Sequence, residues 1–90
     1  MSNIAERLSS YATTIRYEDL PPEVVHLAKR MIIDTLGCGL GGYDGEPSRI
    51  ARETAGMVTS SVPATVIGSG LATSPDMATF ANGVMIRYLD

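Results

Sequence analysis

Ser74-Pro75-Asp76-Met77-Ala78-Thr79-Phe80-Ala81-Asn82-Gly83-Val84-Met85-Ile86-Arg87-Tyr88-Leu89-Asp90 is the stretch from which the fold class follows. Ser74 is a favoured helix N-cap, and Pro75 suits the first helical position, where its missing N–H costs nothing. Asp76 puts a negative charge at the positive end of the helix dipole. Met77, Phe80, Ala81, Val84 and Tyr88 recur at helical spacing, which predicts one apolar stripe facing a core. Asn82-Gly83 is a turn dipeptide inside this helix, and glycine there costs about 1 kcal/mol against alanine. Tight packing is the expected reason for Gly83. Gly83, Arg87 and Asp90 share a second face. No capping glycine follows Asp90, which suggests a functional helix cut short.

The decamer Ala81-Asn82-Gly83-Val84-Met85-Ile86-Arg87-Tyr88-Leu89-Asp90 resembles the start of a signature of the MmgE/PrpD superfamily, the 2-methylcitrate dehydratases and their cis-aconitate decarboxylase relatives. In that family the Leu-Asp pair opens a short acidic run, followed by Thr and then His. Ala28 to Leu40 is similar to the family's first long helix, and Pro63 to Gly68 and Thr73 to Pro75 match in order and spacing. The resemblance thus spans nearly the whole chain. It implies that residues 1–90 are the N-terminal portion of a large helical domain that carries the active site, with a smaller α+β domain outside them. It further implies a hydro-lyase of propionate breakdown acting on a small carboxylate substrate, as a homodimer, with no metal or other cofactor. A decarboxylase or epimerase of the same superfamily is the alternative. A non-catalytic helical interaction module is the alternative outside it.

Composition narrows the classes independently. Ninety residues suffice for one small domain, and 44% apolar residues are ordinary for a globular chain. Seven Lys and Arg against ten Asp and Glu give a net charge of −3 without a basic cluster, so nucleic-acid binding has little electrostatic support. No apolar run approaches the roughly 18 residues of a membrane span. Met1 to Arg7 lacks the apolar core of a secretory signal. Cys38 is the single cysteine, which excludes an internal disulfide, and a reducing cytoplasm is the expected location.

Read in order, the chain is mainly α, with four helices and one short extended segment. Ile4, Leu8, Tyr11, Ala12 and Ile15 keep a helical period, and Asn3 with Glu6 resembles a capping box. Pro21-Pro22-Glu23 opens a second helix running to about Gly41, with Val25, Ala28, Ile32, Leu36, Gly39 and Leu40 as its buried stripe. Gly37-Cys38-Gly39-Leu40-Gly41-Gly42 satisfies the spacing of a dinucleotide-binding loop, but a helical pattern precedes it where a strand is required. The glycines are better explained by close helix approach, with Gly41-Gly42 as a left-handed cap. Pro47 starts a third helix whose inner face is Ile50, Ala51, Thr54, Ala55 and Val58. Arg49, Arg52 and Glu53 form its solvated face. Ala64 to Ile67 is the extended segment, and Gly68-Ser69-Gly70 turns the chain back.

Few residues carry chemistry. The resemblance implies an active-site carboxylate at Asp90. Arg87 either holds a substrate carboxylate bidentately or pairs with Asp90 on the surface. Arginine here resembles the dehydratases, because the decarboxylases often carry His at this position. Asn82 either hydrogen-bonds substrate or caps a neighbouring segment. His26 is expected at the surface, Asp34 as a satisfied buried carboxylate, and Cys38 as a small core residue.

Overall fold

The computed structural model describes residues 3–89. Four helices, α1 (Ile4–Thr14), α2 (Pro22–Gly41), α3 (Glu46–Ala55) and α4 (Pro75–Tyr88), are joined by a 3-10 turn at Tyr17–Asp19 and two short strands, β1 (Ala64–Thr65) and β2 (Ala72–Thr73). The fold is mainly α, as expected. The extended segment gains a partner that its two-residue length hid: β1 and β2 pair antiparallel, Ala64 opposite Thr73 and Thr65 opposite Ala72. Gly68 (φ 82°) and Gly70 (φ 70°) supply the left-handed turn between them.

The chain divides into two compact units, one up to Arg30 and one from Met31. In the first, α1 starts as expected. The Asn3 Oδ1 accepts the Glu6 N–H at 2.8 Å, and the Asn3 amide donates to the Glu6 carboxylate at 3.3 Å. Ile4, Leu8 and Tyr11 are exposed, and no residue of α1 is buried.

The second unit holds the core: Ala51 and Ala55 of α3, Val66 after β1, and Ala78, Ala81 and Met85 of α4. α3 and α4 meet alanine against alanine. This corrects three expected faces. On α4 the inward residues are Ala78, Ala81 and Met85, while Phe80 and Tyr88 are about half exposed. On α3, Ser48 replaces Ile50 inside, and Thr54 is exposed. On α2 only Gly39 of the expected stripe is buried, and Ile32, Leu36 and Leu40 are exposed. The physical reason is common to all three. The contacts form where small residues let backbones come close, so the large apolar side chains flank them.

The end of α2 shows how close. Neither Gly41 nor Gly42 has a positive φ, so the expected left-handed cap is not there. A Cβ on Gly42 would instead fall on the Met85 carbonyl of α4, and one on Gly45 would lie 2.8 Å from the Tyr88 ring. Gly83 is the converse: an added Cβ meets nothing within 4 Å, so tight packing inside this chain does not explain it. The buried Thr73 hydroxyl reaches the Ala55 carbonyl at 2.7 Å and the Val58 carbonyl at 3.0 Å, which satisfies the end of α3.

The two glycines therefore predict opposite outcomes. Gly42→Ala should destabilise the chain by about 2 kcal/mol or more, because α4 must move to admit the methyl group. Gly83→Ala should stabilise it by up to about 1 kcal/mol through helix propensity. Urea unfolding midpoints check both, and a Gly42→Ala midpoint equal to wild type would contradict the packing. A second prediction concerns Asp76, whose carboxyl is held below its ordinary value by the Ser74 hydroxyl and then by the backbone N–H groups of Asp76 and Met77. A lowered folded-state value adds stability above the unfolded value and loses it as pH falls through the folded one. Asp76→Asn should be less stable than wild type at neutral pH, and the difference should vanish in acid.

Candidate functional site

The site is built on the second half of α4. Asn82 sits half-buried beside β1. Its Oδ1 accepts the Ile67 N–H at 2.9 Å, and its Nδ2 donates to the Thr65 carbonyl at 3.1 Å. These two groups flank Val66, whose own N–H goes to Leu71 at 2.8 Å on the hairpin side. The carboxamide thus engages β1 much as a neighbouring strand would, one donor and one acceptor two residues apart. That gives a physical reason for asparagine in mid-helix, where its propensity is poor. Of the two expected uses, the capping of a neighbouring segment is the one the hydrogen bonds display.

Arg87 lies exposed in the last turn of α4, where a positive charge complements the helix dipole. Asn82 and Arg87 are five residues apart, about 140° around the helix, so they occupy different faces. Asp90 lies outside the described residues. The described end of α4 packs through Met85, Ile86 and Leu89 against the glycine-rich end of α2. A Cβ on Gly39 would lie 3.3 Å from the Ile86 side chain, and one on Gly41 2.7 Å from Leu89.

A third anchor was missed by the sequence reading. Arg52 is not on a solvated face. Its Nη1 donates to the Tyr43 carbonyl and lies 3.6 Å from the Met85 sulfur, and its guanidinium carbon stands 3.6 Å from the centroid of the Tyr43 ring. Only a partner nine residues away across a turn distinguishes Arg52 from its neighbour Arg49, which does pair in solvent with Glu53 at 2.8 Å. No local spacing signals such a contact.

The remaining candidates stay outside the site. His26 is exposed, in a shallow depression with Tyr17, Glu18 and Lys29. Asp34 is exposed, which corrects the expected burial: α2 turns that flank to solvent within its unit. Cys38 is half-buried and free. Residues 37–41 are helical, so the dinucleotide spacing lacks its strand. Among the described residues no group of three or more His, Cys, Asp or Glu could hold a metal ion, and no helix is long and apolar enough to cross a membrane.

A mainly helical chain whose fourth helix carries Asn82 and Arg87 defines the class. The family model of the MmgE/PrpD N-terminal domain matches residues 6–90, and the chain belongs to that family. Among curated proteins it is similar to human cis-aconitate decarboxylase, 32% identical over all of this chain and 19% of that protein. It is also similar to a cis-aconitate decarboxylase-like protein of Aspergillus oryzae, 26% identical over 98% of this chain and 18% of that protein. The chain spans about a fifth of the length of these relatives. No solved structure matches it significantly.

The hydrogen bonds of Asn82 generate a prediction. Asn82→Ala removes both partners from β1 and leaves the Ile67 N–H and Thr65 carbonyl to partial solvation, at a cost of about 1–2 kcal/mol. Asn82→Asp should cost as much or more, because it places a carboxylate opposite the Thr65 carbonyl. Thermal unfolding checks both, and two wild-type midpoints would remove the clamp.

Proposed function

We propose that this chain is part of the active-site helical domain of a lyase acting on a small, carboxylate-rich substrate, with Arg87 in the last turn of α4 and Asp90 three residues later in sequence as its site residues. The family match across residues 6–90, which includes the decamer ending at Asp90, carries this reading. The favoured reaction is dehydration of 2-methylcitrate or a similar hydroxy-tricarboxylate. A base removes a proton beside a carboxylate while an acid protonates the departing hydroxyl. Asp90 is the active-site carboxylate. Arg87 offers a planar fork suited to a substrate carboxylate and stabilises the charge that develops there. Asn82 serves the site by fixing α4 on β1, with any substrate contact secondary. A cytoplasmic homodimer that needs no metal belongs to the same proposal.

A second reading has its own support. Both relatives bear the name of cis-aconitate decarboxylase, which favours loss of carbon dioxide over loss of water. Arg87 favours dehydration.

The full-length protein carrying these residues distinguishes the two. Turnover of 2-methylcitrate to an alkene without gas release supports dehydration, and carbon dioxide release from cis-aconitate supports the second reading. Turnover of neither overturns both and leaves an epimerase of the superfamily or the non-catalytic helical module. Asp90→Asn in the same protein should reduce turnover by at least about 100-fold if Asp90 takes part in proton transfer. Wild-type turnover in that variant would remove Asp90 from the site. The 90-residue chain alone should be inactive.

A further inference from the structure

We propose that Arg52 is a positioning residue for the last turn of α4, a role that rests on the lyase reading above. Three segments converge on its guanidinium. Its own helix, α3, presents it. The turn after α2 contributes the carbonyl and the ring of Tyr43, and α4 contributes the sulfur of the fully buried Met85. The Tyr43 ring in turn touches the hairpin turn, since a Cβ on Gly68 would lie 3.1 Å from it.

The charge makes this more than packing. Arg52 is half-buried, and neither ion pair among the described residues involves it: those are Arg49 with Glu53 and Arg16 with Glu18. Partial desolvation of a cation without an anion is unfavourable, and an apolar side chain of similar volume would fill the space at no such cost. What arginine adds is direction. A planar fork that must satisfy a carbonyl, a ring face and a thioether together tolerates little rotation of any of them.

Met85 is where that direction is used. Its carbonyl abuts Gly42 and its sulfur faces Arg52, so both its backbone and its side chain are indexed. Arg87 follows two residues later and Asp90 five. A rotation of α4 by about 10° moves a side-chain tip at a radius of about 6 Å by about 1 Å. A displacement of about 1 Å at a reacting group can cost about 100-fold in rate.

The test uses the full-length protein, with Arg52→Met keeping volume and Arg52→Lys keeping the charge but not the planar fork. With whichever of 2-methylcitrate and cis-aconitate the wild type turns over, Arg52→Met should lower kcat at least about 10-fold while KM stays within about twofold, and Arg52→Lys should recover part of the loss. Amide exchange in the last turn of α4 should quicken about 10-fold in Arg52→Met while α3 keeps its protection. A folded Arg52→Met with wild-type kcat overturns the proposal. So does a loss of kcat that only parallels a loss of melting temperature in both variants, because that is the mark of a purely structural residue. If the wild type turns over neither substrate, the lyase reading falls, and exchange then decides whether Arg52 holds α4. Quickening confined to the last turn sustains that role, and unchanged exchange ends it.

Discussion

The carbonyl oxygen of Met85 occupies the place where a side chain on residue 42 would be. Everything else in the second unit is consistent with that one approach. Because the end of α2 and the turn after it come up against α4, a side chain at 42 would meet the α4 backbone, and side chains at 41 and 45 would displace Leu89 and Tyr88. α4 then meets α3 through Ala78 and Ala81 on one side and Ala51 and Ala55 on the other. Among the described residues Met85 is the one long side chain fully enclosed, and it lies between the glycine contact and Arg52.

Such an arrangement trades hydrophobic area for definition. At about 25 cal/mol per Å2, alanine faces contribute little transfer free energy compared with leucine or phenylalanine faces. They allow short backbone separations, however, and short separations carry steep repulsion that resists sliding and rotation. Directional bonds do the rest. Asn82 ties α4 to β1, Thr73 ties β2 to the end of α3, and Ser74 caps α4 immediately after β2. The hairpin is too short to be stable by itself, yet the Asn82 side chain of α4 holds β1 and the strand's own Thr73 hydroxyl holds β2 to the end of α3.

The same trade explains what was legible in the sequence. Helix starts were legible because their signals are local: Asn3 with Glu6, Pro22 with Glu23, Pro47, and Ser74 with Pro75. The turn at Gly68-Ser69-Gly70 was legible for the same reason. Buried faces were legible only in part: Gly39, Ala51, Ala55 and Ala81 were expected inside and are buried, but periodicity also assigns the inside to large apolar residues, and here the smallest residues make the contact. Ile50, Phe80 and Tyr88 were placed inside on that rule and are about half exposed. β2 escaped because two residues show no alternation. Arg52 escaped because a cation between Arg49 and Glu53 looks solvated until the fold brings Tyr43 over it. Of the candidate site, Asn82 was marked by its misfit in a helix, while Arg87 and Asp90 were marked by the decamer's resemblance alone.

Those misfits point the same way. Asn82 disfavours the helix yet anchors it to a strand, and Arg52 loses part of its hydration yet orients Met85. Gly42 gives up a side chain so that the Met85 carbonyl can approach. Each sacrifices local stability, and each bears on the axial position or rotation of α4 within about a turn and a half of Arg87. A chain selected for core stability alone would replace the cation with an apolar residue and widen the helix spacing to bury leucines. A chain that must present the end of one helix in a fixed orientation gains from short contacts and directional bonds. Gly42, Arg52 and Asn82, which break local rules, are residues that such positioning requires.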